Sequence, residues 1–271
     1  MARTASSAGL AKDSDSVRQE RVYRTEAIVL REMDYAEADR ILTLLTPGGK
    51  LSALGRGIRR PTSRKVGHLG LFFRVQLMLA RGRNLDTITQ AECLEAYEGL
   101  RGDLLRFTHA CYAGELVERF AQEGEENQPL YDLMAQALRW LAEEHDLPLW
   151  TRYLELRVLR VSGYQPDLFH CVNCHQDIQP EVNYLHAAQG GLLCARCGPG
   201  QPQAKAVSLN AQKVLRYLQT HDTAEVRALK VGNATHSEVE SLLRGYLEYT
   251  LERELKSVAF LQRLRREMTS T

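Results

Sequence analysis

The spacing of four cysteines constrains the fold of this chain more than any other feature of its sequence. They follow the pattern Cys171-x2-Cys174-x19-Cys194-x2-Cys197. Two residues between paired cysteines let both thiolates reach one metal ion from a tight turn, and two such pairs complete a tetrahedral sulfur site. Because four sulfur ligands leave no open position for water, the pattern predicts a structural zinc site rather than a catalytic one. The same ligands also suit an iron–sulfur cluster, and that alternative stays open.

Other metal-binding side chains in the sequence are not needed for this site. Cys93 and Cys111 stand alone in apolar surroundings, which is typical of buried free thiols without a chemical role. His170, His175 and His186 lie close to the cysteine pairs in sequence and could replace a missing ligand. With four cysteines present, we expect these histidines to be surface residues.

Basic residues are concentrated in one part of the chain. Residues 40–85 contain ten Lys or Arg and no Asp or Glu, although the whole chain has 35 basic and 34 acidic residues. Such a concentration predicts a surface that meets a polyanion, most often nucleic acid, although a solvated face of a strand domain is the simpler alternative. The residues that we expect to contact DNA phosphates are Arg40, Lys50, Arg56, Arg59, Arg60, Arg64, Lys65, Arg81 and Arg83.

The same part of the chain has the pattern of short β-strands. Val, Ile, Leu, Thr and Phe occupy partly alternating positions, and Pro-Gly-Gly at 47–49 and Arg-Gly-Arg-Asn at 81–84 are turn signals. Five strands with the longest loop between the third and fourth favour a small oligonucleotide/oligosaccharide-binding (OB-fold) barrel, although a different small barrel would give a similar pattern. The predicted strands are 23–31, 38–46, 50–58, 71–81 and 85–92.

The remainder of the chain has helical periodicity, interrupted by the cysteine segment. Apolar residues recur every three or four positions in 103–122, 130–145 and 148–162, with Trp140 and Trp150 in the apolar stripes, where core positions are expected rather than base-stacking ones. Ser208 and a capping box at Ser237-x-x-Glu240 predict further helix starts, after a linker at 202–207. We therefore predict an α+β multidomain protein. Its parts are a disordered tail (1–20), an OB-fold domain (21–96), a helical domain (97–165 and 204–271) and a zinc module (166–203).

The sequence favours binding over catalysis. It contains no Walker loop, no Gly-x-Gly-x-x-Gly, no Gly-x-Ser-x-Gly and no His-Glu-x-x-His motif, so we predict no catalytic residues. No apolar run approaches the roughly 20 residues that span a bilayer. The first residues also lack the apolar centre of a secretory signal. We therefore expect an intracellular, cytoplasmic protein.

Several stretches of the N-terminal part resemble one protein family. The residues 55–92, GRGIRRPTSRKVGHLGLFFRVQLMLARGRNLDTITQAE, are similar to the N-terminal signature of the bacterial recombination mediator RecO family. The opening YRTEAIVL at 23–30 and EADRI at 37–41 fit the same family. The order of parts also agrees, from barrel to helices, four-cysteine module and closing helices. Residues 1–20 are the part that departs from the resemblance.

The resemblance implies a function in DNA repair. Members of this family bind single- and double-stranded DNA and anneal complementary strands. They contact the partner RecR and single-strand-binding protein, and they help to load RecA onto gaps. The resemblance therefore implies a nucleoid-associated protein without enzymatic activity. Two alternatives stay open on the residues alone: a zinc-ribbon protein that binds RNA, and a scaffold whose basic face meets an acidic protein.

Overall fold

The computed structural model describes residues 21–60 and 66–269, and five strands form its N-terminal part. They close into a barrel in the order β1-β2-β3-β5-β4, with β3 and β5 parallel and the other neighbours antiparallel. The prediction of five strands is confirmed. Their bounds are β1 Val22–Tyr35, β2 Asp39–Thr46, β3 Gly49–Gly55, β4 Arg74–Ala80 and β5 Asp86–Glu95.

The first strand is longer than predicted because it serves two neighbours. Its first half pairs with β4 and its second half with β2, and the β2 register shifts between Val29 and Arg31. Such a bulge bends a strand and increases its twist. Ala27 and Val29 face the barrel interior, whereas Ile28 joins the core of the helical part. The barrel and the helices therefore share a packed boundary along β1.

Helices follow the barrel, as the periodicity predicts. Asp103, Asn127, Asp146 and Ser208 each accept a hydrogen bond from a backbone N–H in the first turn of a helix, which satisfies donors that the helix itself cannot. The helix bounds are α1 Leu104–Phe120, α2 Gln128–Glu143, α3 Leu147–Val161, α4 Leu209–Thr220, α5 Thr223–Ala228, α6 Asn233–Leu251 and α7 Lys256–Thr269.

The tryptophans lie in the helical core, which confirms their predicted role. Trp150 is 2% exposed, and its ring lies 5.1 Å from that of Trp140 and 5.7 Å from that of Tyr153, measured between ring centroids. Aromatic pairs at such separations stabilise a core beyond the area that they bury. These rings are therefore not available to stack on bases.

The prediction of a capping box that starts at Ser237 is wrong. Helix α6 begins four residues earlier than that serine, at Asn233, and the Ser237 hydroxyl donates to the Asn233 carbonyl oxygen at 3.1 Å inside the helix. A Ser hydroxyl can bond back along a helix in this way as well as cap one, so the motif alone does not fix the start. A capping box does form at Asp222 and Glu225, where α5 begins.

The cysteine segment contains a small sheet that packs into the helical core. Its strands are β6 Asn183–His186, β7 Gly191–Leu193 and β8 Lys205–Val207, in the order β7-β6-β8. The predicted linker at 202–207 is therefore wrong in part, because 205–207 pairs with β6 and buries Val207 completely. Leu168, Ile178, Leu185 and Leu192 belong to the same apolar cluster as the helices.

A carboxylate of α1 binds the start of the last helix. Glu115 accepts hydrogen bonds from the backbone N–H groups of Lys256 and Ser257, at 2.9 and 2.8 Å, and from the Ser257 hydroxyl at 2.6 Å. Burial alone would raise the pKa of Glu115, but the bonds from Ser257 and Lys256 outweigh it, so the pKa lies below its usual value. Glu115 thus caps α7 from a neighbouring helix.

We expect Glu115→Ala to loosen α7 by about 1 kcal/mol at neutral pH, the usual effect of losing an N-cap. The pKa of Glu115 is lower in the folded protein than in the unfolded chain, where it is near 4.3. The stabilisation is therefore present above the unfolded-state pKa and is lost as pH falls through the folded-state pKa. Amide hydrogen exchange of α7 at neutral pH and near pH 3 measures both effects. Glu248→Gln, which alters an exposed pair with Arg244, is the control. Equal α7 exchange in the Glu115 variant and the wild type at neutral pH would contradict this role.

Candidate metal centre and nucleic-acid interface

The structure brings the four predicted ligands together. Cys171 and Cys174 precede β6, Cys194 and Cys197 follow β7, and their sulfur atoms all lie within 4.8 Å of one another. In the second turn, the Cys197 and Gly198 N–H groups donate to the Cys194 carbonyl oxygen at 3.0 and 2.9 Å. This is the tight turn that the two-residue spacing requires. The four cysteines could therefore hold one metal ion.

Hydrogen bonds within the cluster shift the pKa values of its thiols. Hydrogen bonding from the backbone of Gln176 lowers the pKa of Cys174 to about 6. The Asn173 side chain acts to lower the pKa of Cys197, but the Cys194 sulfur and burial oppose it, and the net pKa is raised to about 11. The pKa values of these two thiols are thus shifted in opposite directions. A divalent cation would favour the ionised form of all four cysteines, because sulfur ligands bind metals as thiolates.

The neighbouring histidines do not share one environment. His170 is exposed and faces Asp167 at 3.3 Å, and His175 is also exposed. His186 is buried at 8% exposure, so its predicted place at the surface is wrong. It lies at the end of β6, opposite Gly191 of β7. Only the four cysteines form a cluster with metal-site geometry among the described residues.

The two lone cysteines are only half-buried. Burial raises the pKa of both thiols, that of Cys111 to about 11. A raised pKa keeps a thiol protonated and unreactive at neutral pH. They therefore match the inert role predicted for them, though they are less buried than expected.

The loop after β3, which we call the arginine loop (residues 55–60), lies against the β1–β2 hairpin. The Gly57 N–H donates to the Asp39 carboxylate at 2.7 Å, and the Arg59 N–H donates to the Ala38 carbonyl oxygen at 3.0 Å. Ile58 is buried in the barrel core at 6% exposure. These contacts fix the loop backbone and leave Arg56 and Arg60 exposed at its surface.

Acidic side chains from β1 pair with part of the basic segment. Arg40 contacts Glu32 at 2.5 Å and Asp34 at 2.9 Å, and Arg59 contacts Asp34 at 3.4 Å. Residues 40–85 contain no acid, but the preceding strand supplies acids across the hairpin. The charge is therefore less unbalanced in space than in sequence. The free positive charge of the loop is carried chiefly by Arg56 and Arg60.

Two other predicted DNA contacts also have protein partners. The Lys50 ammonium group donates to the Glu118 carbonyl oxygen at 3.1 Å, so it lies at the boundary between the barrel and α1. The Arg81 guanidinium lies 4.7 Å from the centre of the Tyr23 ring, and the residue is exposed. Arg81 can reach a ligand without losing this cation–π contact, whereas Lys50 would have to leave its partner.

The remaining basic residues divide between an exposed turn and an undescribed segment. Arg83 is exposed in the β4–β5 turn. Arg64 and Lys65 lie outside the described residues. The structure thus brings the arginine loop beside the β1–β2 hairpin and puts Arg83 on a different turn. DNA contact by any of these residues remains a prediction.

The two phenylalanines before β4 are both buried. Phe72 is 3% exposed, and its ring packs edge-on against Phe107 with the centroids 5.7 Å apart. Phe73 is 6% exposed in the barrel core, with the Arg101 guanidinium 3.9 Å from its ring centre. Neither ring can stack on a base. These two residues precede β4, and they face two different cores.

The fold and these sites define a class of protein: a small β-barrel with an exposed arginine loop, joined to a helical part that carries a four-cysteine cluster. Within the described part, no helix has both the length and the apolar character needed to cross a membrane. The family model "Recombination protein O N terminal" matches residues 21–97, and "Recombination protein O C terminal" matches residues 101–259. The chain belongs to the RecO family.

Curated relatives are similar over nearly the whole chain. A protein of Roseiflexus sp. is 41% identical over 253 residues, which are 93% of this chain and 89% of that protein. A protein of Desulforudis audaxviator is 40% identical over 245 residues, 89% of this chain and 97% of its own length. One from Dehalococcoides mccartyi strain 195 is 35% identical over 90% of this chain and 96% of its own. Each is named DNA repair protein RecO.

Proposed function

We propose that the chain is a non-enzymatic, DNA-binding recombination mediator in DNA repair. The observation that carries this proposal is the arginine loop, which is hydrogen-bonded to the β1–β2 hairpin of the barrel and presents Arg56 and Arg60 to solvent. Guanidinium groups fork onto phosphate oxygens and keep their charge at any physiological pH. The relatives named DNA repair protein RecO support DNA as the polyanion.

The barrel is best interpreted as an OB-fold. Its closed order β1-β2-β3-β5-β4, with a long first strand shared by two neighbours, agrees with the five-stranded barrels that bind oligonucleotides. On this basis we propose an OB-fold domain at 21–96 and a helical domain at 97–165 and 204–271. The zinc module is proposed at 166–203, although it packs into the helical core.

Phosphate neutralisation explains both binding and annealing. Arg56, Arg60 and Arg83 are exposed, and Arg81 can bind phosphate while it contacts Tyr23. Such contacts carry no base information, so we expect single- and double-stranded DNA to bind with a strong dependence on salt. Two complementary strands repel each other through their phosphates. A protein that neutralises both therefore lowers the barrier to their pairing.

Zinc is the proposed ion of the four-cysteine cluster, in a structural role. Four sulfur ligands suit Zn²⁺ and leave no open position for a substrate or water. The ion would hold the two cysteine turns against the β7-β6-β8 sheet. Since that sheet shares its apolar cluster with the helices, the metal would stabilise the helical part as well.

The resemblance also implies partners that we include in the proposal. RecR and single-strand-binding protein would be bound directly, and RecA would be loaded onto the gapped DNA that results. These contacts imply a cytoplasmic, nucleoid-associated protein. None of them requires a catalytic residue.

The proposal is tested by equilibrium binding of a fluorescent single-stranded DNA, with unlabelled duplex DNA and single-stranded RNA of equal length as competitors. We expect tight binding to DNA and accelerated annealing of complementary strands. Preference for RNA would support an RNA-binding protein instead. Binding no tighter than micromolar at physiological salt, as for any nonspecific cation, would support a scaffold.

A further inference from the structure

One carboxylate of the β1–β2 hairpin contacts two arginines of the basic segment. The Oδ1 atom of Asp34 lies 2.9 Å from Nε of Arg40, and its Oδ2 atom lies 3.4 Å from Nη1 of Arg59. Arg40 is directly opposite Asp34 on β2, whereas Arg59 belongs to the arginine loop. Two guanidinium groups from separate elements therefore converge on the two oxygens of one side chain.

This carboxylate lies at one end of the barrel. Glu32 is opposite Leu42, which is fully buried in the barrel core, so Glu32 is on the inward face of β1. Alternate residues of a strand share a face, and Asp34 therefore continues this face towards the hairpin turn. The side chain of Asp34 is 55% exposed, and those of Arg40 and Arg59 are 35% and 39% exposed. A solute can thus reach the carboxylate and both arginines.

Backbone contacts position both arginines independently of the Asp34 carboxylate. Arg40 pairs with Gly55 of β3 on the other side of β2. The Arg59 N–H donates to the Ala38 carbonyl oxygen at 3.0 Å. Because these contacts do not use the carboxylate, its removal leaves the two arginines side by side. They then form a site for an anion from outside the protein.

Other acids near the two arginines have different contacts. Glu32 contacts Arg40 alone, at 2.5 Å, and Asp39 accepts a hydrogen bond from the backbone of the arginine loop. Glu37 is exposed in the hairpin turn. Among the described residues, Asp34 is therefore the acid that contacts both arginines.

We propose that Asp34 is an internal competitor of phosphate, which occupies Arg40 and Arg59 until a DNA phosphate displaces it. A carboxylate and a phosphate both present oxygens that a guanidinium group can bind in a fork. Exposed ion pairs contribute little to stability, so a phosphate can replace the carboxylate reversibly. The inference rests on the proposed function and adds to it a control of affinity.

The consequence is a limit on nonspecific binding. A phosphate that binds Arg40 or Arg59 replaces an existing ion pair, so these two side chains add little net affinity while Asp34 is present. The exposed Arg56 and Arg60 lack this competition and contribute fully. Removal of the Asp34 charge should therefore strengthen binding to DNA of either form, because phosphate contacts do not depend on the bases.

The test begins with Asp34→Asn, which removes the charge and keeps the size of the side chain. We expect about fivefold tighter binding of single-stranded and duplex DNA at physiological salt. On a single strand, the slope of log affinity against log salt should be steeper by about 0.7, the value for one more phosphate neutralised. Glu181→Gln makes the same charge change at an exposed acid of the cysteine segment and should bind as the wild type does.

A double-mutant cycle separates competition from net charge. Arg59→Gln should weaken DNA binding less than about twofold in the wild type, because Asp34 already occupies that side chain, and about fivefold in the Asp34→Asn protein. Zinc content and melting temperature verify that each variant is folded.

Three results would overturn the inference: no gain in affinity from Asp34→Asn, the same gain from Glu181→Gln, or the same effect of Arg59→Gln in both backgrounds. The proposed function would survive each of them provided that the wild type binds DNA. Absence of DNA binding by the wild type would overturn both.

Discussion

Cys174→Ala is expected to reduce the zinc content from about one ion per chain to near zero and to lower the melting temperature by about 10 °C or more. Structural zinc in small modules contributes about 10–16 kcal/mol of apparent binding free energy. We therefore expect that loss of the metal lowers the free energy of unfolding by at least about 5 kcal/mol. For a chain of this size, about 5 kcal/mol corresponds to about 10–20 °C. Elemental analysis and thermal unfolding of the purified protein measure both effects.

The effect should spread beyond the cysteine segment. Leu185 and Leu192, on the sheet between the two cysteine pairs, are buried in the same cluster as Leu215 of α4. Loss of the metal therefore exposes apolar surface of the helical part. Cys93→Ser changes a cysteine outside the cluster and should keep both the metal and the melting temperature. Metal loss without any change in unfolding would contradict a structural role, and visible absorption from bound iron would contradict zinc.

Arg56→Glu/Arg60→Glu is expected to weaken single-stranded DNA binding by about 30-fold at physiological salt. If each lost phosphate contact contributes about 1 kcal/mol, two contacts amount to about 2 kcal/mol, and each 1.4 kcal/mol is a factor of ten. Both side chains are exposed, and the contacts that hold the loop within the described residues come from Gly57, Ile58 and Arg59. The fold and the metal content should therefore remain normal.

The control for this variant is Arg160→Glu/Arg253→Glu. It makes the same change in net charge at two exposed arginines of the helical part. We expect it to retain most of the affinity, since the change in overall charge acts weakly across more than the screening length of about 8 Å. Equal weakening by both double variants would show that binding follows net charge and not the arginine loop.

The sequence alone predicts the parts of this protein whose signals are local. The turns at 47–49 and 81–84 and the alternating apolar residues predict five strands, and the cysteine spacing predicts a cluster that the structure brings together. Such local patterns do not predict contacts between side chains of different strands. The pairing of Arg40 and Arg59 with Asp34 depends on the β1–β2 hairpin, so a charge count over 40–85 overstates the free positive charge.

Tertiary contacts also explain the sequence predictions that the structure shows to be wrong. Residues 205–207 have the composition of a linker, but β6 offers them backbone partners and the helical core buries Val207. His186 is buried at the end of β6, which lies between β7 and β8. The residues next to it in sequence do not indicate this burial.

The central claim is that the arginine loop binds DNA phosphates, and the salt dependence of affinity tests it most directly. The slope of log affinity against log salt is about −0.7 for each phosphate neutralised on a single strand. The account predicts a steep slope for the wild type and one shallower by about 1.4 for Arg56→Glu/Arg60→Glu, with zinc content unchanged. Identical slopes and affinities for the two proteins would contradict it and would place the DNA site elsewhere on the molecule.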